Sequence, residues 1–129
     1  MFKFVLGAFI LLHGLVHLWY FTLSQGLVEY QPEMGWTGRS WLFTRLLGDG
    51  TTGALASLLY ILAAPWFVLG GTGWFFDTGW WRPVLESAAL FSSAVILLFW
   101  EGGLQMGVQK GLLGVFIDLG LLLALFVFK

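Results

Sequence analysis

The sequence contains no cysteine, which excludes disulfides, thiolate metal sites and thiol redox chemistry. Charge is nearly as scarce. Charged residues make up 10% of the 129 positions, where soluble domains carry about 25%. A chain with so little polar surface belongs in a membrane. Its net charge is −1 and it has no basic patch to neutralise phosphates, so nucleic acid is excluded as a partner. No nucleophile–base arrangement, phosphate-cradling glycine loop or pair of catalytic carboxylates can be read. Proline is rare. The one inside a long apolar run, Pro65 in LAAPWF, is expected to kink its helix or free a carbonyl.

Hydrophobic residues supply 59% of the chain, and they fall into four runs of about 2–24, 53–71, 84–101 and 111–129. Each is about long enough to cross a hydrocarbon core of roughly 30 Å. The runs are continuous rather than alternating, so helices satisfy the backbone in lipid where strands would not. The expected fold is an all-α membrane protein: a single up-down-up-down bundle of four transmembrane helices. The first run is too long for a signal peptide, carries histidines, and is followed by no small-x-small cleavage pattern.

The connection between the first two runs is the long one. It holds Glu29 and Glu33, then GRSWLFTRLL at 38–47. There Arg39 and Arg45 alternate with Trp41, Leu42, Phe43 and Leu46, which reads as a short amphipathic helix lying at the interface. The turn TGWFFDTGWWRP places Trp74, Trp80 and Trp81 as headgroup-level anchors. Lys3, Arg82 and Lys129 balance Arg39, Arg45 and Lys110 across the two sides, so the positive-inside rule barely discriminates. Both termini cytoplasmic is the working expectation.

Ionisable residues at membrane depth are costly and face the bundle interior or a cavity. The candidates are His13, His17, Glu86, Glu101 and Asp118. At 100° per residue, His17 lies about 40° from His13, and Tyr20 and Ser24 within about 20° of it. These four form one polar stripe. On the third helix Glu86, Ser93 and Glu101 share a face. On the fourth, Gly111 and Gly114 lie on the face of Asp118 and admit a neighbouring backbone. Gly53, Ser57 and Ala64 form a small-residue seam on the second, either internal or intermolecular. His13 and Asp118 both fall near the middle of their helices, so a contact between them is expected.

Two histidines at i and i+4 with a carboxylate from another helix make a candidate two-His-one-carboxylate site for a divalent metal, His13, His17 and Asp118, with Glu101 a possible fourth ligand. A bis-histidine haem does not fit, because adjacent turns of one helix cannot supply ligands to opposite porphyrin faces. HGLVH also lacks the glutamate base of the zincin HExxH. The same cluster could relay protons or simply tie helices together, at about 0.6 kcal/mol per hydrogen bond in membranes.

HGLVHL at 13–18, GRSWLF at 38–43 and LFWEGGLQMG at 98–107 resemble a group of small bacterial four-helix integral membrane proteins of unknown function. These open with a His-Gly-x-x-His helix, carry an Arg-containing segment in the first connection, and end their third helix in tryptophan, an acidic residue and a glycine-containing turn. The resemblance marks His13, Gly14, His17, Arg39, Trp100 and Glu101 without assigning roles, and implies a bacterial inner (cytoplasmic) membrane. Here the first connection and the aromatic turn are longer than in that pattern. DoxX-like proteins are similar in architecture only, which does not give function. Three classes therefore stay open. The first is a binding or accessory protein in the lipid bilayer, holding a metal ion or small ligand and acting as a homo-oligomer or a subunit of a larger complex. The second is a proton or ion channel or carrier. The third is an enzyme on a lipid-soluble substrate, with a lateral opening near Pro65.

Overall fold

The computed structural model describes residues 1–28, 39–101 and 111–127, and all regular structure among them is helical. Four helices follow one another: α1 (Phe2–Ser24), α2 (Phe43–Phe75), α3 (Trp81–Leu98) and α4 (Leu113–Val127). The first three are long and apolar enough to cross a membrane, which fits an integral membrane protein. The fourth is apolar but has 15 residues.

The second helix starts well before residue 53. It is helical from Phe43, and its one non-helical interior residue is Gly48, at φ 81 and ψ 170. Glycine tolerates this left-handed φ without a Cβ clash. The amphipathic stretch expected over 38–47 is thus helical from Phe43 and joined to the long helix across Gly48, while Gly38, Glu29 and Glu33 lie outside the described residues. Ser40 starts it, its Oγ accepting from the Phe43 N–H at 3.0 Å and donating to the Leu98 carbonyl at 2.5 Å. Trp41 donates its backbone N–H to the Trp100 carbonyl at 2.7 Å and its indole N–H to the Leu97 carbonyl at 2.9 Å. The segment is therefore laced to the end of α3. Pro65 lies inside α2 with helical dihedrals around it; having no N–H, it cannot serve the carbonyl one turn earlier.

Helix α1 packs on α2, α2 on α3, and α3 on α4. Small residues make the first pairing close. A Cβ on Gly14 would sit 2.5 Å from the Phe67 Cβ and 3.3 Å from the Ala64 carbonyl oxygen, so only glycine allows that approach. Ser24 and Ser57 share a hydrogen bond at 2.5 Å, and a Cβ on Gly53 would lie 3.9 Å from the Ser24 carbonyl oxygen. The Gly53–Ser57–Ala64 seam therefore faces α1 within the chain.

Two apolar clusters fill the interior. One gathers Tyr20, Ala56, Tyr60, Val95, Ile96, Phe99 and Val115; the other Ile10, Phe67, Leu85, Ala88, Ala89 and Leu125. Along α1, α3 and α4 the buried polar residues His13, His17, Ser92 and Asp118 fall in sequence between the members of the two clusters. The core is apolar, polar, apolar in succession.

Candidate site: a histidine–aspartate layer between two apolar clusters

Gly14 is the local key to this layer. Its missing side chain lets Phe67 of α2 press against α1, and the phenyl ring meets both flanking imidazoles. It stands edge-on to His13 at 5.0 Å between centroids and stacks on His17 at 5.5 Å. The two imidazoles are 5.6 Å apart and nearly perpendicular, at 84°. One aromatic wedge thus turns the two rings in different directions.

His13 reaches α4. Its Nε2 lies 2.8 Å from Asp118 Oδ1, and Ser93 of α3 donates to Asp118 Oδ2 at 3.3 Å. Asp118 is 0% exposed, so these two donors are what compensates its removal from water. Among the described residues, the Nδ1 of His13 has no hydrogen bond. His17 reaches α3 instead, its Nε2 lying 2.7 Å from Ser92 Oγ. Its Nδ1 sits 3.2 Å from the Gly14 carbonyl and 3.3 Å from the His13 carbonyl. Carbonyls only accept, so Nδ1 carries the proton; in the neutral ring Nε2 then accepts from the Ser92 hydroxyl.

The expected His13–Asp118 contact is present, and Ser93 joins it. The rest of the expected metal set does not assemble. His17 is committed to Ser92, and Glu101 lies beyond the end of α3, lining a surface pocket with Arg39, Ser40, Trp41, Thr44 and Arg45. Among the described residues, no group of three or more His, Asp or Glu side chains is placed to hold a metal ion. The polar stripe divides as well. Tyr20 stacks on Tyr60 at 5.1 Å within an apolar cluster. Ser24 donates to the Phe21 carbonyl at 2.7 Å and bonds Ser57. Glu86 is half-buried near the start of α3, away from the layer. Ser92 was missed: on α3 the charges of Glu86 and Glu101 draw attention to the Ser93 face, whereas the buried face runs through Leu85, Ala88, Ala89, Ser92, Val95 and Ile96. That run of apolar and small residues is the signal that identifies it.

Two cavities lie between α1 and α4, one on each side of the His13–Asp118 bond. A cavity of about 130 Å³ is lined by His13, Val16, His17 and Tyr20 of α1, Ile96 of α3, and Leu113, Gly114 and Ile117 of α4. A larger one, about 460 Å³, lies on the Phe2–Ile10 side and borders α4 through Leu121, Ala124 and Leu125. No protein-family model, curated protein or solved structure matches the chain.

Proposed function

We propose that this chain is a small integral membrane binding protein, an up-down-up-down bundle of four spans, that holds a small hydrogen-bond-donating ligand at His13. The observation that carries the reading is a buried imidazole that lines a 130 Å³ cavity and whose Nδ1 has no hydrogen bond among the described residues. In the neutral ring with Nε2–H given to Asp118, Nδ1 is an acceptor, and a buried acceptor without a donor is costly. At about 30 Å³ per water-sized group, the cavity takes a molecule of roughly four heavy atoms, or the same number of waters. The pairings Gly14–Phe67 and Ser24–Ser57 support alternating helix directions. The fourth span rises about 22 Å, so it needs its flanking residues or a locally thinner bilayer. Trp41 and Arg45 suit Phe43–Leu47 to the interface.

A small molecule is favoured over a metal because the two Nε2 atoms point at different partners. A proton relay is the second reading, favoured by the joined bonds His13–Asp118–Ser93 and His17–Ser92 across three helices. The apolar lining of the larger cavity weighs against a hydrated path running past them. The test is to release and identify small molecules and metals from detergent-purified protein never exposed to chelator, comparing wild type with His13→Ala and His17→Ala. A stoichiometric small molecule lost in His13→Ala supports the reading. Stoichiometric metal lost in both variants, or proton flux in proteoliposomes that disappears in His13→Ala, overturns it.

A further inference from the structure

The helices pack in sequence order, α1 on α2, α2 on α3 and α3 on α4, and no comparable pairing brings α4 back onto α1 among the described residues. The cavity of about 130 Å³ beside His13 lies in that open seam. Val16 of α1 and Leu113 of α4 line it, and both are half exposed on the outside of the bundle, at 50% and 51%. They therefore form a rim through which the cavity opens sideways. Val16 lies eight residues before the end of α1 at Ser24, about 12 Å along the axis, so the opening faces hydrocarbon rather than headgroups. Gly114 makes the room. A Cβ there would sit 3.9 Å from His13 Cε1 and 3.2 Å from Ile96 Cδ1, so any larger side chain would enter the space beside the imidazole. Cε1 is bonded to Nδ1, which places the acceptor nitrogen one bond from the atom that borders this space.

Resting on the reading of His13 above, we infer that this cavity is a binding site for a lipid-soluble aliphatic alcohol. The hydroxyl donates to His13 Nδ1, and the chain passes between Val16 and Leu113 into the bilayer. The donor is set by Nδ1, which has no hydrogen bond among the described residues and accepts in the neutral ring. Neutrality is set by the wall: no carboxylate lines the cavity, so an ammonium would lose its hydration there without a counter-charge. Both nitrogens of His17 are engaged, so an amide or a carboxylic acid would bring a carbonyl for which neither histidine has a donor left. An alcohol brings one donor to one acceptor. At about 30 Å³ per heavy-atom-sized group, the volume admits the hydroxyl and roughly three carbons, and is too small for a phenol ring. The remainder of a longer chain stays in lipid, and the open seam lets it enter from the bilayer.

Equilibrium dialysis of labelled 1-octanol against the full chain in a hydroxyl-free detergent, corrected with protein-free micelles, tests this alongside ¹⁵N spectra of the two histidines. The expected result is one saturable site per chain that prefers 1-octanol over heptyl methyl ether by about tenfold or more, since the ether cannot donate and leaves the nitrogen unpaired. Octanol moves the His13 Nδ1 resonance and leaves both His17 nitrogens in place. Gly114→Val fills the space, Val16→Trp closes the rim, and each removes binding. Leu119→Trp, on the outer face of α4 at 51% exposure, retains it. Val16 stands on an exposed face, so its variant keeps the test decisive if Gly114→Val fails to fold. Unsaturable partitioning, equal uptake of alcohol and ether, or wild-type affinity in both filled variants overturns the inference. The spectrum separates it from the reading on which it rests. A protonated Nδ1 in the free protein refutes both, whereas an unprotonated Nδ1 that octanol does not move refutes the alcohol alone.

Discussion

The bond between His13 and Asp118 is the sharpest place to test the physical reading, through a double-mutant cycle of His13→Ala and Asp118→Ala. Asp118 is fully buried and its Oδ1 is met by His13 at 2.8 Å. Removing the imidazole leaves Oδ1 without a donor among the described residues, while the Ser93 hydroxyl stays 3.3 Å from Oδ2. An unsatisfied buried acceptor costs about 1–3 kcal/mol, and more when charged. The lost ring adds a cavity term, since it also packs edge-on to Phe67. His13→Ala should therefore destabilise by about 2–4 kcal/mol. Asp118→Ala instead leaves a neutral imidazole that keeps its contact with Phe67, at a cost of about 1–2 kcal/mol. The double variant should be more stable than the sum of the singles by about 1–2 kcal/mol, because neither orphan survives. Hydrogen bonds between membrane helices average about 0.6 kcal/mol, so a coupling well above that distinguishes a sealed ionisable pair from ordinary polar packing. Unfolding in mixed detergent–SDS micelles, followed by tryptophan fluorescence, measures each corner. Additivity within about 0.3–0.5 kcal/mol would refute the claim that the two residues compensate one another.

Gly14→Ala should cost about 1–3 kcal/mol by overpacking against Phe67, while Gly79→Ala, with open space where its Cβ would go, should stay within about 0.5 kcal/mol; equal effects in the same assay would contradict the close α1–α2 approach. Ser92→Ala, which strips the 2.7 Å partner from His17, should destabilise by about 1 kcal/mol and shift the His17 side-chain ¹⁵N resonances, and Ser93→Ala should leave those resonances in place. Chelator treatment should leave the melting temperature unchanged; a drop of several degrees restored by one equivalent of a divalent ion would restore the metal reading.

Much of the layer was legible because period and depth suffice where a helix is regular. His13 and Asp118 each sit near the middle of an apolar run, and that alone brought them to one level. Glu101 shows where the method stops. Projection at 100° per residue assumes the helix continues, and α3 ends at Leu98, so the shared face with Glu86 and Ser93 does not extend to it. The adjacent serines show a second limit. Ser92 and Ser93 differ by 100° of rotation, and both are used, one by each histidine's network; charge pointed to one and burial to the other. At the start of α2 the apolar run is expected from about residue 53, whereas the long helix begins just after Gly48, whose positive φ kinks the chain and sets residues 43–47 apart. The turn of the two imidazoles away from each other could not be read at all. It depends on Phe67, more than fifty residues on in the chain, meeting the one position where α1 has no side chain.

The His13–Asp118 bond joins residues 105 apart in sequence, and this sets an order on assembly. Helices α1 and α2 have their glycine-lined contact available as soon as both have entered the bilayer, and His17 has its serine once α3 follows. His13 has to wait for α4. Until then the nascent bundle carries an imidazole facing lipid or a neighbouring protein, a polar mark that disappears only when the fourth helix docks.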